Sequence, residues 1–277
     1  MDRASRLDRV RRAMAEAECD AVVVTNLLNI RWLSGFTGSN GIAVITEDGF
    51  TIVTDGRYQT QIGQQLAAAQ VEASVTITRE IEAPIVAAVG AAERIGLESD
   101  DVSWADQRRF AEWLPGGTLI ATSELIEYQR RFKDSGEVAR LRLAASIADR
   151  ALSSVKPELD RSRSELEVAR QLDAAMLELG ADDVSFPTIV AAGPNSAKPH
   201  ATPSDRTIEP GDMVVIDFGA KVDGYGSDMT RSFLVGRPTP RQQEVFDAVA
   251  PAQAAGVAAV RHGVDEQEID RVCRQEL

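Results

Sequence analysis

Met213–Phe233 reads MVVIDFGAKVDGYGSDMTRSF. An apolar run, Met213 to Ile216, leads into Asp217, and a second strand-like run carries Asp228. Asp223-Gly224 stands between them, and Asp-Gly between two such runs predicts a tight β-hairpin. With those two residues as the loop, Val222 faces Tyr225 and Asp217 faces Thr230. Asp228 is two residues from Thr230, so it shares a face with Asp217. Val214, Ile216 and Phe218 point the other way and form the core side. Two close carboxylates repel unless a proton or a cation lies between them, and hard oxygen donors suit divalent ions such as Mn or Mg. The alternative from pattern alone is a solvated hairpin with two surface aspartates.

Working outward, the residues before the hairpin form a loop dense in Pro, Gly, Asn and Ser, GPNSAKPHATPSDRTIEPGD, which carries His200. An imidazole there can donate a hydrogen bond or a proton to an oxyanion. Read without context, it is a surface histidine. Thr188 to Ala192 ahead of this loop is a strand. After the hairpin, 241–261 is helical with Pro251 kinking or interrupting it. His262 sits at the end of that helix, where a cation complements the dipole. Asp265 and Glu268 have capping-box spacing and start another helix, within which the chain stops at Leu277. The expectation is that the second domain lacks its later part.

Residues 123–179 read as helical. One helix covers 123–132, a longer one follows Asp134-Ser135-Gly136 and ends at Lys156-Pro157, and Ser164 and Glu167 cap a third that Gly180 closes. Further back, strands alternate with helices. A helix over about 4–17 precedes strands at 20–25, 41–46 and 50–54. A helix from Asp55 to about Ala69, a strand at 71–77, a helix over 81–92, a strand at 94–98, a helix over 104–113 and the strand TLIAT follow. This is α/β architecture. The rhythm changes near residues 122–134, which places a domain boundary there, with domains at 1–125 and 126–277.

Composition narrows the function. The chain has 277 residues, is 44% hydrophobic and carries a formal net charge of -13. The hydrophobic share is enough for a sizeable core, and the acidity disfavours nucleic acid or an anionic membrane as the main partner. No stretch is long and apolar enough to span a bilayer, and the charged first residues lack an apolar signal core, so a cytoplasmic protein is expected. Cys19 and Cys273 form no CxxC pair and no zinc spacing, and read as reduced thiols. There is no GxSxG elbow, no GxGxxG after a strand and no Walker loop. Phe36–Gly41 reads as a plain turn, with an anion cradle of backbone N–H groups as the alternative.

Four pieces then coincide in order along the chain: NIRWLSGFTGSNG (29–41), TDGRY (54–58), SFPTIVAAGPNSAKPH (185–200) and VVIDFGAKVDGYGSDMTRSF (214–233). Together they resemble the bacterial Xaa-Pro peptidases, aminopeptidase P and prolidase, of the pita-bread metallopeptidase family. The resemblance implies an N-terminal creatinase-type α/β domain followed by a partial pita-bread domain, α/β (α+β) in class. It implies two divalent metal ions, Mn first with Co or Zn as alternatives, that activate water and polarise the peptide carbonyl. Asp217 and Asp228 match metal-binding aspartates, and His200 matches the histidine that assists at the scissile peptide. Proline-containing peptides would be the substrates, and a homodimer the assembly. The family's site also uses one histidine and two glutamates from later strands, and nothing in 234–277 matches them. The expectation is therefore an incomplete metal site and a chain inactive or nearly so alone. The competing readings are a metal-free binding module on the same fold and a creatinase-like C–N hydrolase. The intact aspartates favour the peptidase over both. Aminopeptidase P and prolidase specificity stay undivided at this level.

Overall fold

A computed structural model of the protein describes residues 3–159 and 162–277, in two compact units, Met1–Glu137 and Val138–Leu277. The first unit runs α1 (Ala4–Glu16), β1 (Ala21–Val24), α2 (Leu27–Ser34), β2 (Ile42–Thr46), β3 (Phe50–Thr54), α3 (Gln59–Ala69), β4 (Ser74–Ile77), α4 (Glu82–Val89), β5 (Arg94–Glu98), α5 (Trp104–Trp113), β6 (Thr118–Thr122) and α6 (Leu125–Arg130). The six strands form one sheet in the order β4-β3-β2-β1-β5-β6. Only β2 is antiparallel to its neighbours.

Alternation along the strands builds two cores. Val22, Val24, Ile45 and Ile52 face α1, α2 and α3, while Val23, Val44 and Val53 face α4 and α5. A strand covered on both faces needs apolar residues at every position, and β1 is Ala-Val-Val-Val, buried throughout. The result is the layered α/β architecture expected.

The helix α1 buries Val10 and Met14 as its spacing requires, but it also buries Arg6 completely. The Arg6 guanidinium donates to the Trp32 carbonyl (2.7 Å) and to Asp134 (2.6 Å), and lies 4.8 Å from the centre of the Trp32 ring. Trp32 Nε1 in turn donates to the buried Glu137 carboxylate (3.0 Å). This knot ties residues 134–137 to α1 and α2, and the first unit accordingly extends to Glu137.

The second unit contains α7 (Ser135–Val155), whose first residues close the unit before it, then α8 (Glu165–Glu178), β7 (Asp183–Val184), β8 (Ile189–Ala192), β9 (Met213–Phe218), β10 (Ala220–Val222), β11 (Tyr225–Gly226), β12 (Met229–Leu234), α9 (Pro240–Ala259) and α10 (Glu266–Glu276). Two antiparallel three-stranded sheets result, β12-β9-β8 and β11-β10-β7. Their core joins Ile147, Leu152 and Val155 of α7, Val168, Leu172 and Met176 of α8, and Val190, Val214, Ile216 and Phe218 of the strands.

The helix ends bear out the sequence reading at one place and depart from it at two. The capping box at Ser164 and Glu167 forms in full. At Asp265 only the aspartate caps, accepting from the Gln267 N–H (2.9 Å), because Glu268 is held by Arg271 (2.6 Å) one turn along. A further capping box forms at Thr239 and Gln242, ahead of α9. Pro251 does not interrupt α9, which continues past it to Ala259. Both cysteines are free, and no helix among the described residues is long and apolar enough to cross a membrane.

Candidate functional site

The hairpin at the centre of the sequence reading forms in the expected register. Val222 pairs with Tyr225, and Asp217 with Thr230. The loop residues Asp223 and Gly224 have φ of +50° and +82°, the left-handed pair that a two-residue hairpin loop requires. Arg140 of α7 pairs with the Asp223 carboxylate, and the Asp223 N–H donates to Asp182 (2.5 Å).

One departure shapes the site. The hairpin is shared between two sheets, β9 and β12 with β8, β10 and β11 with β7. The pairing breaks at Gly219 on one strand and at Ser227 and Asp228 on the other. A Cβ on residue 219 would overlap the Ser227 carbonyl oxygen and lie 2.8 Å from its carbonyl carbon. The strands therefore close onto bare backbone at Gly219. Asp228 leaves this bend two residues ahead of Thr230 and is exposed.

The two faces of β9 differ as alternation demands. Val214, Ile216 and Phe218 are buried, and Val215 and Asp217 are half-buried on the opposite face. Thr230 Oγ1 donates to Asp217 Oδ1 (2.9 Å), which orients one carboxylate oxygen and leaves the other open. His200 lies in an exposed turn of the long connection between β8 and β9. Among the described residues, no three His, Cys, Asp or Glu side chains converge as a metal-holding group. Asp217 and Asp228 are carboxylates, hard oxygen donors of the kind a divalent ion takes.

The connection carrying His200 is held by a residue that the sequence reading did not single out. Glu165, at the first position of α8, is fully buried. Its carboxylate accepts from the Ala192 N–H (2.7 Å), Asn195 Nδ2 (3.0 Å), the Ser204 N–H (3.0 Å) and Ser204 Oγ (2.6 Å). Burial pushes its pKa up, but the hydrogen bonds from Ser204, Ala192 and Asn195 outweigh that, and the carboxyl stays below its ordinary value. Arg206 makes a two-pronged pair with Asp212 across the end of the same connection (2.7 and 3.0 Å).

In the first unit, the two quoted motifs meet. Asn40 Nδ2 donates to Asp55 (2.7 Å), Arg57 makes a two-pronged pair with the same carboxylate (2.9 and 2.8 Å), and the Ser39 N–H donates to the Tyr58 hydroxyl (3.1 Å). The N–H groups of Phe36 and Thr37 are taken by Ser34 Oγ and Gln65 Oε1. With the Ser39 N–H also committed, three backbone donors of this stretch are spent internally, as in a plain turn.

Comparison with known proteins agrees with the motif reading. Residues 139–277 match the metallopeptidase family M24, and residues 6–132 match the creatinase/prolidase N-terminal domain. An uncharacterized peptidase of Bacillus subtilis is 34% identical over 272 residues, covering 98% of this chain and 77% of that protein. A Xaa-Pro dipeptidase of Pyrococcus furiosus is 30% identical over 271 residues, covering 98% of this chain and 76% of its own. The solved structure of a Xaa-Pro dipeptidase from Bacillus anthracis superposes with a TM-score of 0.92 at 33% identity, over 99% of this chain and 77% of that one.

Proposed function

Because the chain belongs to metallopeptidase family M24 and carries a creatinase/prolidase N-terminal domain, we propose that it is built to hydrolyse the Xaa-Pro bond at the N-terminus of peptides or in dipeptides. Membership in the family implies divalent metal ions. The observation that carries the reading is the hairpin register, which keeps Asp217 off the core face with Thr230 fixing one of its oxygens. On this reading Asp217 and Asp228 are the metal-binding carboxylates, with two Mn ions preferred over Co or Zn. His200 is the catalytic histidine that donates a hydrogen bond at the scissile peptide. Proline-containing peptides are the partners, in a cytoplasmic homodimer.

The donor count sets the expected behaviour of the 277-residue chain. Among the described residues no third ligand converges with a pair of carboxylates, and two carboxylates by themselves hold a divalent ion weakly, so we expect little or no hydrolysis by this chain alone. Equilibrium dialysis against Mn followed by elemental analysis, with a Xaa-Pro dipeptide assay on the same sample, tests both statements. Weak retention that disappears in Asp217→Asn supports the reading. Close to two tightly held ions per chain, or fast turnover, overturns the donor-count argument. A chain that retains no Mn yet binds proline-containing peptides unchanged is a binding module on this fold, the reading that the sparse donor set favours next.

A further inference from the structure

We infer that Glu165 is the positioning residue for His200. The inference rests on the catalytic reading of His200 for its functional meaning, and on the hydrogen bonds of Glu165 for its physical content.

The connection between β8 and β9 has little regular structure of its own beyond the short helical turn Gly193–Ala197. A buried anion ties its earlier limb to its later one. Glu165 Oε1 accepts from Ala192 and Asn195, which precede His200, and Oε2 accepts from the N–H and hydroxyl of Ser204, which follows it. Asn195 extends the grip towards the histidine, because its Oδ1 accepts from Lys198 Nζ (2.7 Å) and its carbonyl from the Lys198 N–H (2.9 Å). The limb after His200 has independent support. The Glu165 and Leu166 N–H groups donate to the Arg206 and Ser204 carbonyls (3.0 Å each), and the Ile208 N–H donates to Arg163 (2.8 Å). The carboxylate joins the two limbs on either side of His200 at one point.

A buried group surrounded only by donors must be an acceptor on both oxygens, which a carboxylate is and an amide is not. In Glu165→Gln the amide keeps Ala192 only by turning its NH2 towards Ser204, whose N–H then has no acceptor. His200 would move with the freed limb.

The test uses the full chain labelled with 15N-histidine. The protein has only two histidines, so His200 and His262 give two backbone signals, and His262 serves as the internal reference. In Glu165→Gln the His200 signal shifts towards that of an unstructured residue, while His262 stays in place. A His200 signal that stays in place in a folded Glu165→Gln would show that Glu165 merely supports the limb, and would overturn the inference. Ser204→Ala, which removes the hydroxyl donor to Glu165 and the acceptor for the Arg206 N–H (3.2 Å) but keeps the Ser204 N–H, covers the case in which Glu165→Gln fails to fold. It should move His200 in the same direction by less, and an unmoved signal there also overturns the inference. Neither measurement needs metal or substrate. Failure of the peptidase reading would appear in the Mn dialysis with the His200 displacement intact, and failure of the tether would appear in the His200 signal whatever the dialysis gives.

Discussion

Gly219→Ala is the sharpest test of how the fold makes the candidate site. The added Cβ would overlap the Ser227 carbonyl oxygen, 2.8 Å from the Ser227 carbonyl carbon and 3.1 Å from Ser185 Cβ. A carbonyl fixed in backbone cannot rotate away as a side chain can. Relief to ordinary contact, roughly 3.5–4.0 Å between carbons, requires the strands to part by about 1 Å. The bonds beside the clash would stretch first: Ser227 N–H to the Ala220 carbonyl (2.8 Å) and Ser185 N–H to the Gly219 carbonyl (2.7 Å). Overpacking costs about 1–3 kcal/mol, and each weakened hydrogen bond adds about 0.5–1.5 kcal/mol. The sum is about 2–6 kcal/mol, which for a unit of this size lowers the thermal midpoint by roughly 8–24 °C. Circular dichroism melts of the wild type and variant measure it, with amide exchange at Ala220 and Ser227 locating the damage. Gly226→Ala is the control, since its added Cβ meets Ser185 Oγ at 2.6 Å, the end of a side chain that can turn away. A Gly219→Ala midpoint no lower than that of Gly226→Ala, with exchange unchanged, would refute the close approach as the reason for glycine here.

Three further outcomes follow from the same structure. Arg6→Met removes the cation from a site where Glu137 is buried, and unpaired buried charge costs about 3–5 kcal/mol. A denaturant titration should show that loss in the first unit, and a change below 1 kcal/mol would mean the knot is not stabilising. Asp55 is held well below its ordinary pKa of 3.8, first by the side chain of Arg57, then by Asn40 and the Arg57 N–H. A depressed carboxyl lends stability that is present above its unfolded pKa and lost as pH falls through the folded one. Asp55→Asn should therefore be less stable than the wild type at neutral pH, with the gap closing on acidification below 3.8; a gap that widens there contradicts the pairing. Asp217→Asn and Asp228→Asn should each abolish the Mn retained on dialysis while shifting the thermal midpoint little, since neither side chain is in the core. An Mn signal that survives both substitutions places the metal elsewhere.

Where a local rule applied, the sequence was enough. Asp-Gly between two strand-like runs sets hairpin parity, and a slip of one residue would have turned Asp217 into the core. Trp104–Trp113 is helical to the residue, because Ser103 caps it and the chain reaches Pro115 just beyond. Local rules also failed in identifiable ways. The helix α2 has no counterpart in the sequence reading, since Leu27–Ser34 is apolar without a clear stripe. Its signal was the cap, Asn26, whose side chain accepts from Leu28 and Asn29. The strand expected over 71–77 shrinks to Ser74–Ile77, an edge strand half open to solvent. The two-residue β7 exists only because β10 pairs with it. A capping-box spacing is a permission rather than an outcome: at Asp265 an arginine one turn on captured the glutamate, and at Thr239 a glutamine did the capping.

The candidate site divides along the same line. Asp217 and its Thr230 partner are placed by strand parity, which needs only the turn between them. His200 sits in a connection whose path depends on contacts from Glu165 to Ala192, Asn195 and Ser204, residues far away in sequence. No periodicity marks such a residue, and an acid in the first turn of a helix has an ordinary explanation in the helix dipole. Burial is what separates the two explanations. A carboxylate serving the dipole stays in water, whereas Glu165 is fully enclosed and satisfied only by donors from the connection. An anion taken out of water must recover its lost solvation through such bonds. The connection and the helix end therefore stabilise one another, and the geometry at His200 is set by a charge that the hairpin never touches.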